Sequence, residues 1–334
     1  MSRITSLEVA KRAGVSQSAV SRVFTPGASA SRQTVQKVQK AAKELGYRPN
    51  MMARAMITGK SRIIGLVVAY LDNQFYPLAL QLLSNALQKK GYHILVFTAS
   101  NSQGAAEEVM QELLDYQVDG IITASVGMTN DLAARCAMAG IPVVMFNRGQ
   151  EGGDISAVTS ANKAGGRAVA EFLLSCGHKQ IAHISGWSGS STGQDRKAGF
   201  CEVLNAHGMQ PQVVDGMFDR DTACAATRTL MDRGTPPDAI FVGNDHMAFA
   251  VLDTLRHTLG VRVPEEVAVI GYDDVPLAAW PSYDLTTMRQ PINRMIEATV
   301  DTLLTRIADP TTPPSRIEIE SPLIMRGTTK GPRT

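Results

Sequence analysis

The chain has 334 residues, 44% of them hydrophobic and 19% charged, an ordinary globular composition with room for two or three domains. No apolar run reaches the ~20 residues that span a bilayer, and the start, MSRITSLEVAKRAGV, lacks a signal-peptide core, so neither a membrane-spanning nor an exported protein is expected. Formal net charge is +2, yet residues 1–62 hold 12 of the 33 Lys/Arg and only 2 of the 31 Asp/Glu, a basic head on an acidic body such as a nucleic-acid-binding module produces.

Leu7, Val9, Ala10 and Ala13 read as an apolar stripe on a short helix. Gly14 ends it, because a tight turn needs left-handed backbone. Ser16 is a good N-cap for a second helix, about 17–24, that buries Val20 and Val23. A third helix, about 32–45, follows Ser31 and buries Val35, Val38, Ala42 and Leu45. Two short helices around AGVS make a helix-turn-helix, whose second helix fits the major groove. On that helix Gln17, Ser18 and Arg22 face outward; glutamine pairs with adenine and arginine with guanine. The hydroxyls of Ser16, Ser21, Ser31 and Thr34 suit phosphate contacts, or serve only as caps. Pro49 then opens a segment, NMMARAM, of one to two helical turns. Such a helix is marginal alone and needs DNA or a partner helix to form, which makes it a hinge candidate.

From Ile63 apolar runs alternate with amphipathic stretches. IIGLVVAYL, HILVFTA, GIITASV and PVVMFN read as buried parallel strands, with helices over 77–90, 103–117 and 130–139. After VTSAN the pattern restarts with IAHISG, VVDGMF, AIFVGN and VAVIGYDD, and helices near 162–176, 194–207, 222–233 and 245–259. The fold class is therefore α/β, with two βα-rich lobes behind the helix-turn-helix head. Ligands sit beyond the carboxyl ends of such strands. Those ends carry Asp72-Asn73-Gln74-Phe75-Tyr76, Asn147-Arg148, Trp187-Ser188, Asn244-Asp245 and Asp273-Asp274. Two facing rims of this kind make a cleft for a small polar ligand. Asp273 could instead cap a turn, and Arg196 could form a structural ion pair.

Enzymatic readings find little support. TGKS (58–61) lacks the earlier glycine of a phosphate loop, where Arg54 stands. GWSGS (186–190) ends in Ser190 where a nucleophile elbow needs glycine. There is no HExxH and no clustered His spacing, so no metal or cofactor is expected. Cys136, Cys176, Cys201 and Cys224 are scattered and read as reduced thiols of a cytoplasmic protein. The alternatives are a DNA-binding head fused to an enzyme-like α/β domain, and a two-lobed solute-binding module. The second should carry an export signal and no basic head.

LEVAKRAGVSQSAVSRVF, followed by ELGYRPNMMARAMITGKSRIIGLV, resembles the LacI/GalR family of bacterial regulators. The likeness runs on through GYHILVF, VDGIIT, GIPVV, GHKQIAHI, RKAGF, VGNDHMAFAVL, VIGYDD, LTTMRQP and LIMRG. It implies a head over 1–48, a hinge helix and linker over 49–61, and a periplasmic-binding-protein-like core over 62–327. Lobe 1 would hold about 62–159 and 291–320, lobe 2 about 160–290 and 321–327, with a tail over 328–334. The resemblance implies base reading by Gln17, Ser18 and Arg22, with Thr25 where the family usually has asparagine. It also implies that Ala53 and Met56 lie in the minor groove, Met56 replacing the family's wedging leucine. Asn147 and Arg148 stand where the family usually has an aspartate–arginine pair. With Phe75, Tyr76, Trp187, Arg196, Asn244 and Asp273 they are the implied effector-binding residues, Gln74 replacing a usual proline nearby. The expected protein is a cytoplasmic, nucleoid-associated transcriptional regulator, in the first instance a repressor. Its expected partners are a near-palindromic double-stranded DNA operator, a small polar effector (a sugar, sugar acid or related metabolite) and a second copy of itself. The C-terminal tail carries no heptad run, so the expected assembly is a homodimer.

Overall fold

The structure is a computed structural model that describes residues 4–25, 28–48, 59–69, 71–99, 105–125, 129–149 and 155–332. The chain divides into two compact units, Met1–Ser61 and Arg62–Thr334. The hinge segment, with Ala53 and Met56, lies outside the described residues.

Among its described residues the first unit holds three helices, α1 (Ser6–Ala13), α2 (Gln17–Val23) and α3 (Arg32–Leu45). Local chemistry sets their limits. Thr5 and Glu8 form a reciprocal capping box on α1, and Ser16 and Ser31 cap α2 and α3 through their side-chain oxygens. Gly14 and Gly46 adopt left-handed backbone (φ 66° at both), which closes α1 and α3. Val9, Ala10, Val20, Val38, Ala41 and Ala42 form the buried centre, with Phe24 tilted against Tyr47. Leu7 departs from the expected stripe: it is 49% exposed, because two residues of helix turn it about 200° from Val9.

The second unit holds two six-stranded sheets. The first contains β1 (Ile63–Val68), β2 (His93–Thr98), β3 (Gly120–Ala124), β4 (Val143–Phe146), β5 (Ser156–Ser160) and β11 (Arg316–Ile319), in the order β2-β1-β3-β4-β5-β11. The second contains β6 (Ile181–Ser185), β7 (Gln212–Asp215), β8 (Ala239–Val242), β9 (Ala268–Asp273), β10 (Thr286–Arg289) and β12 (Leu323–Ile324), in the order β7-β6-β8-β9-β10-β12. Every pairing is parallel except β10 with β12. The helices of the first lobe are α4 (Phe75–Lys89), α5 (Ala105–Asp115), α6 (Asn130–Met138) and α11 (Ile292–Ala308). Those of the second are α7 (Asn162–Ser175), α8 (Ser191–Ala206), α9 (Arg220–Met231) and α10 (Asp245–Asp253). Central strands such as β3, β4, β6, β8 and β9 are buried along their whole length, since helices cover both faces. Strands β2 and β7 at the sheet edges keep exposed residues.

Strand order reverses beside β1 in one sheet and beside β6 in the other, which opens a crevice at the carboxyl ends of β1/β3 and of β6/β8. The chain crosses between lobes at 160–162, 289–292 and 319–323. The alternation of apolar runs does not mark β5 or β10: SAVTS and TTMR are short and hydroxyl-rich. They are strands because tertiary partners satisfy the buried hydroxyls, as Thr329 Oγ1 does for Thr286 Oγ1 at 2.8 Å.

Helices α7 and α8 touch backbone to backbone. A Cβ on Gly199 would sit 1.9 Å from the Lys163 carbonyl oxygen, and one on Gly166 2.1 Å from that of Arg196. Only glycine allows this approach, which sets Arg196 against the sheet. Gly199→Ala is expected to destabilise the core by about 3 kcal/mol, at the upper end of overpacking costs because backbone cannot step aside. A lowered urea midpoint at unchanged slope checks this.

Among the described residues no helix is long and apolar enough to cross a membrane, and no cluster of three His, Cys, Asp or Glu could hold a metal ion.

Candidate DNA-binding surface and ligand cleft

At 100° per residue, Val20 and Val23 fix the inner face of α2; Ser18, Ser21 and Arg22 fall on the opposite one, and Gln17 lies on the flank between the two. All four are exposed. Gln17 Nε2 donates to Ser6 Oγ at 2.9 Å, which joins the start of α1 to this face. Among the described residues Arg22 makes one weak contact, Nε to the Ser18 carbonyl at 3.4 Å, and its side chain is exposed. Thr25 Oγ1 donates to the Ser21 carbonyl, tying Thr25 back to the helix. The Ser16 and Ser31 hydroxyls work as caps, and Ser31 Oγ also meets Thr34 Oγ1 at 2.8 Å.

In the second unit a cavity enclosing about 360 Å³, its opening included, lies where the two strand-end rims meet. Five residues come from the first lobe (Asn73, Tyr76, Ser125, Asn147, Arg148) and five from the second (Thr192, Arg196, Phe218, Asn244, Asp273). Nine non-glycine residues among those described have positive φ, and four of them (Ser125, Asn147, Phe218, Asp273) line this cavity. Backbone strain of about 1–3 kcal/mol each, gathered at one place, marks a functional site rather than chance.

Arg196 is the centre of the cavity's polar wall. It is 2% exposed. Its Nε donates to Asn162 Oδ1 (2.8 Å) and its Nη1 to the Gly243 carbonyl (2.7 Å), with Nη1 3.6 Å from Asp273 Oδ1. The guanidinium lies over the Tyr272 ring, 3.6 Å from its centroid. Gln290 Nε2 donates to the same Asp273 oxygen at 2.7 Å. Ser160 Oγ is 3.1 Å from Asn162 Oδ1 and 3.0 Å from Gln290 Oε1. A buried polar ring therefore joins Arg196 and Asp273 to two of the three lobe crossings. Burial raises the Asp273 carboxyl above the ordinary range, while Arg196 and Gln290 pull it down.

The remaining residues follow from their elements. Asn244 caps α10, its Oδ1 accepting from Met247 N at 3.0 Å. Asn147 Nδ2 donates to the Tyr76 hydroxyl at 3.3 Å. Thr192 shares a 2.8 Å contact with Ser190, the cap of α8. Across the cleft, Gly149 N donates to Ser191 Oγ (3.1 Å), Arg148 lies 5.8 Å from the Trp187 ring centroid, and His246 Nε2 is 4.0 Å from Asp72 Oδ2.

Two expected ligand residues sit elsewhere. Phe75 does not line the cavity; it is 2% exposed and stacks on Phe146 in the first lobe's core. Its position at the start of α4 sends it inward, and the next residue, Tyr76, faces the cavity. Trp187 is half-buried and reaches the site only by backing Arg148. Ser125, Thr192 and Phe218 escaped the sequence reading. Ser125 and Phe218 follow β3 and β7, so the strand-end rule itself was the signal for them.

Asp245 lies behind the cavity, fully buried. It accepts from Thr287 Oγ1 (2.6 Å) and Val275 N (3.0 Å). Burial, then the Asp273 charge, pushes its carboxyl up to about 8. In the unfolded chain it ionises near pH 4. Holding the proton in the folded state thus costs stability progressively as pH rises from about 4 to 8. Asp245→Asn removes that cost, so its melting temperature relative to the parent should climb between pH 5 and pH 8 in scanning calorimetry.

Residues 5–50 match the profile of the bacterial regulatory proteins, lacI family, and residues 170–329 that of a periplasmic binding protein-like domain. Over 330 residues the chain is 35% identical to the HTH-type transcriptional regulator CelR of Thermobifida fusca, covering 95% of this chain and 96% of that one. Among solved structures, a transcriptional regulator CelR–cellobiose complex matches with TM-score 0.74 at 33% identity, covering 98% of this chain and 100% of the other. The lac repressor dimer bound to operator and the anti-inducer ONPF matches with TM-score 0.88 at 26% identity, covering 98% and 99%. Fold, family match and cleft thus define a DNA-binding transcriptional regulator with an effector-binding core, not an enzyme. The chain belongs to the lacI family of bacterial regulatory proteins.

Proposed function

We propose that this regulator is a repressor whose hold on a near-palindromic operator is governed by a small polyhydroxylated effector in the cleft. The observation that carries the reading is the buried Arg196–Asp273 pair, set in a cavity that both lobes line equally. Carboxylate, amide and guanidinium groups bind hydroxyls, while Tyr76 and Phe218 cover an apolar ring face. Gln17, Ser18 and Arg22 read bases; Ser16, Ser21, Ser31 and Thr34 add phosphate contacts to their structural roles. Two copies of the chain pair to present two heads, acting on the bacterial nucleoid in the cytoplasm, with Ala53 and Met56 of each hinge in the minor groove.

Effector control needs unequal affinity for two core states. A swing of operator competence from 99:1 to 1:99 takes about 5.5 kcal/mol of difference. The test is a thermal-shift screen of sugars, sugar acids and nucleosides on the full chain, followed by operator titration with each hit. A hit that raises the core's melting temperature and changes operator affinity at least fivefold supports the reading. Hits that stabilise the core and leave operator affinity unchanged overturn it.

A further inference from the structure

Arg148 is 5% exposed, yet its Nε–H has no hydrogen-bond partner among the described residues. Ser125 Oγ and Asn147 Oδ1, which line the same cavity, are buried and unpartnered as well. Arg196 differs: its Nε and Nη1 are taken by Asn162 and Gly243 and it faces Asp273. Arg148 has only the face of Trp187, and no ion pair joins it to a described carboxylate. Nearby acids are committed elsewhere. Asp274 is paired with Arg289 and Arg326, and Asp72 is 72% exposed beside His246 at the mouth. The charged lining is therefore two guanidiniums against one carboxylate.

A buried guanidinium without an anion is costly, and an anionic ligand offsets that cost more fully than neutral hydroxyls do. We propose that the effector is a polyol bearing one anionic group, seated on Arg148 with Ser125 and Asn147 beside it. This rests on the cavity being the effector site. The hydroxyls fall to the Asp273 side and the anion to the Arg148 side. Arginine's fork of N–H groups fits carboxylate and phosphate alike.

Isothermal titration of the full chain distinguishes the sources. The probes are hexuronates and aldonates of gluco and galacto configuration, their neutral parent hexoses, and the hexose 6-phosphates. An acid should bind at least tenfold more tightly than its parent. Arg148→Gln should remove most of that advantage. Asn147→Asp, which supplies a carboxylate next to Arg148, should shrink the same ratio without emptying the site of its arginine. Tight binding confined to the phosphates supports the anion and assigns it to phosphate. A neutral hexose bound as tightly as its acid overturns this inference while leaving the cleft as effector site. Absence of binding by every anionic probe overturns it too; the wider screen with operator titration judges the site itself.

Discussion

Arg196→Ala is expected to abolish measurable effector binding and to lower the stability of the core by about 3–5 kcal/mol, the usual cost of breaking a buried ion pair by removing one partner. The loss is large because one side chain serves four neighbours: Asn162, the Gly243 carbonyl, Asp273 and the Tyr272 ring. Removing it leaves Asp273 with Gln290 alone and opens the polar ring at its centre. For a core of this size each kcal/mol moves the melting temperature by roughly 2–4 °C, so calorimetry should register a fall of about 6–20 °C. Arg196→Lys should recover part of the stability and little of the binding. An ammonium keeps the charge but lacks the planar fork that reaches Asn162 and Gly243 at once. In cells, operator occupancy in either variant should no longer follow the effector. An Arg196→Ala protein with parental affinity would remove Arg196 from the site.

The second large effect is expected at Arg22, for the opposite structural reason. Arg22 is exposed and makes a single weak internal contact among the described residues, so Arg22→Ala should leave the melting temperature unchanged. A bidentate base contact is worth about 1–3 kcal/mol, and two heads on a symmetric site double it. Affinity for the operator should fall by roughly thirtyfold to twenty-five-thousandfold, while affinity for scrambled duplex changes little. Fluorescence anisotropy on both duplexes at a fixed salt concentration measures this difference directly. Equal losses on both duplexes would assign Arg22 to phosphate.

The two residues differ in how they were legible. Arg22 follows from counting along one seven-residue helix whose cap, turn and buried valines are all within a few positions. Arg196 was reached by the RKAGF motif, but nothing nearby in the chain announces Asn162 or Gln290 as its supports. Ser160 and Gln290 meet across 130 residues of sequence, where two lobe crossings converge. The adjacent pair Phe75 and Tyr76 makes the same point at short range. Both are aromatic, both follow β1, and their directions differ because α4 starts at Phe75 and turns that ring into the core.

The sequence by itself determined the basic head, its caps and outward side chains, the α/β alternation and the strand ends that carry polar groups. These are local properties, set by helical phase, capping and the period of burial. Tertiary structure alone decided which strand-end side chains enter the cavity. It turned Tyr76 in and Phe75 away, brought Phe218 and Ser125 to the rim through positive-φ backbone, and left Trp187 behind Arg148. It also joined Arg196 and Asp273 to the lobe crossings. The physical reason is that a cavity forms by convergence of segments far apart in the chain, and no local pattern encodes where they meet.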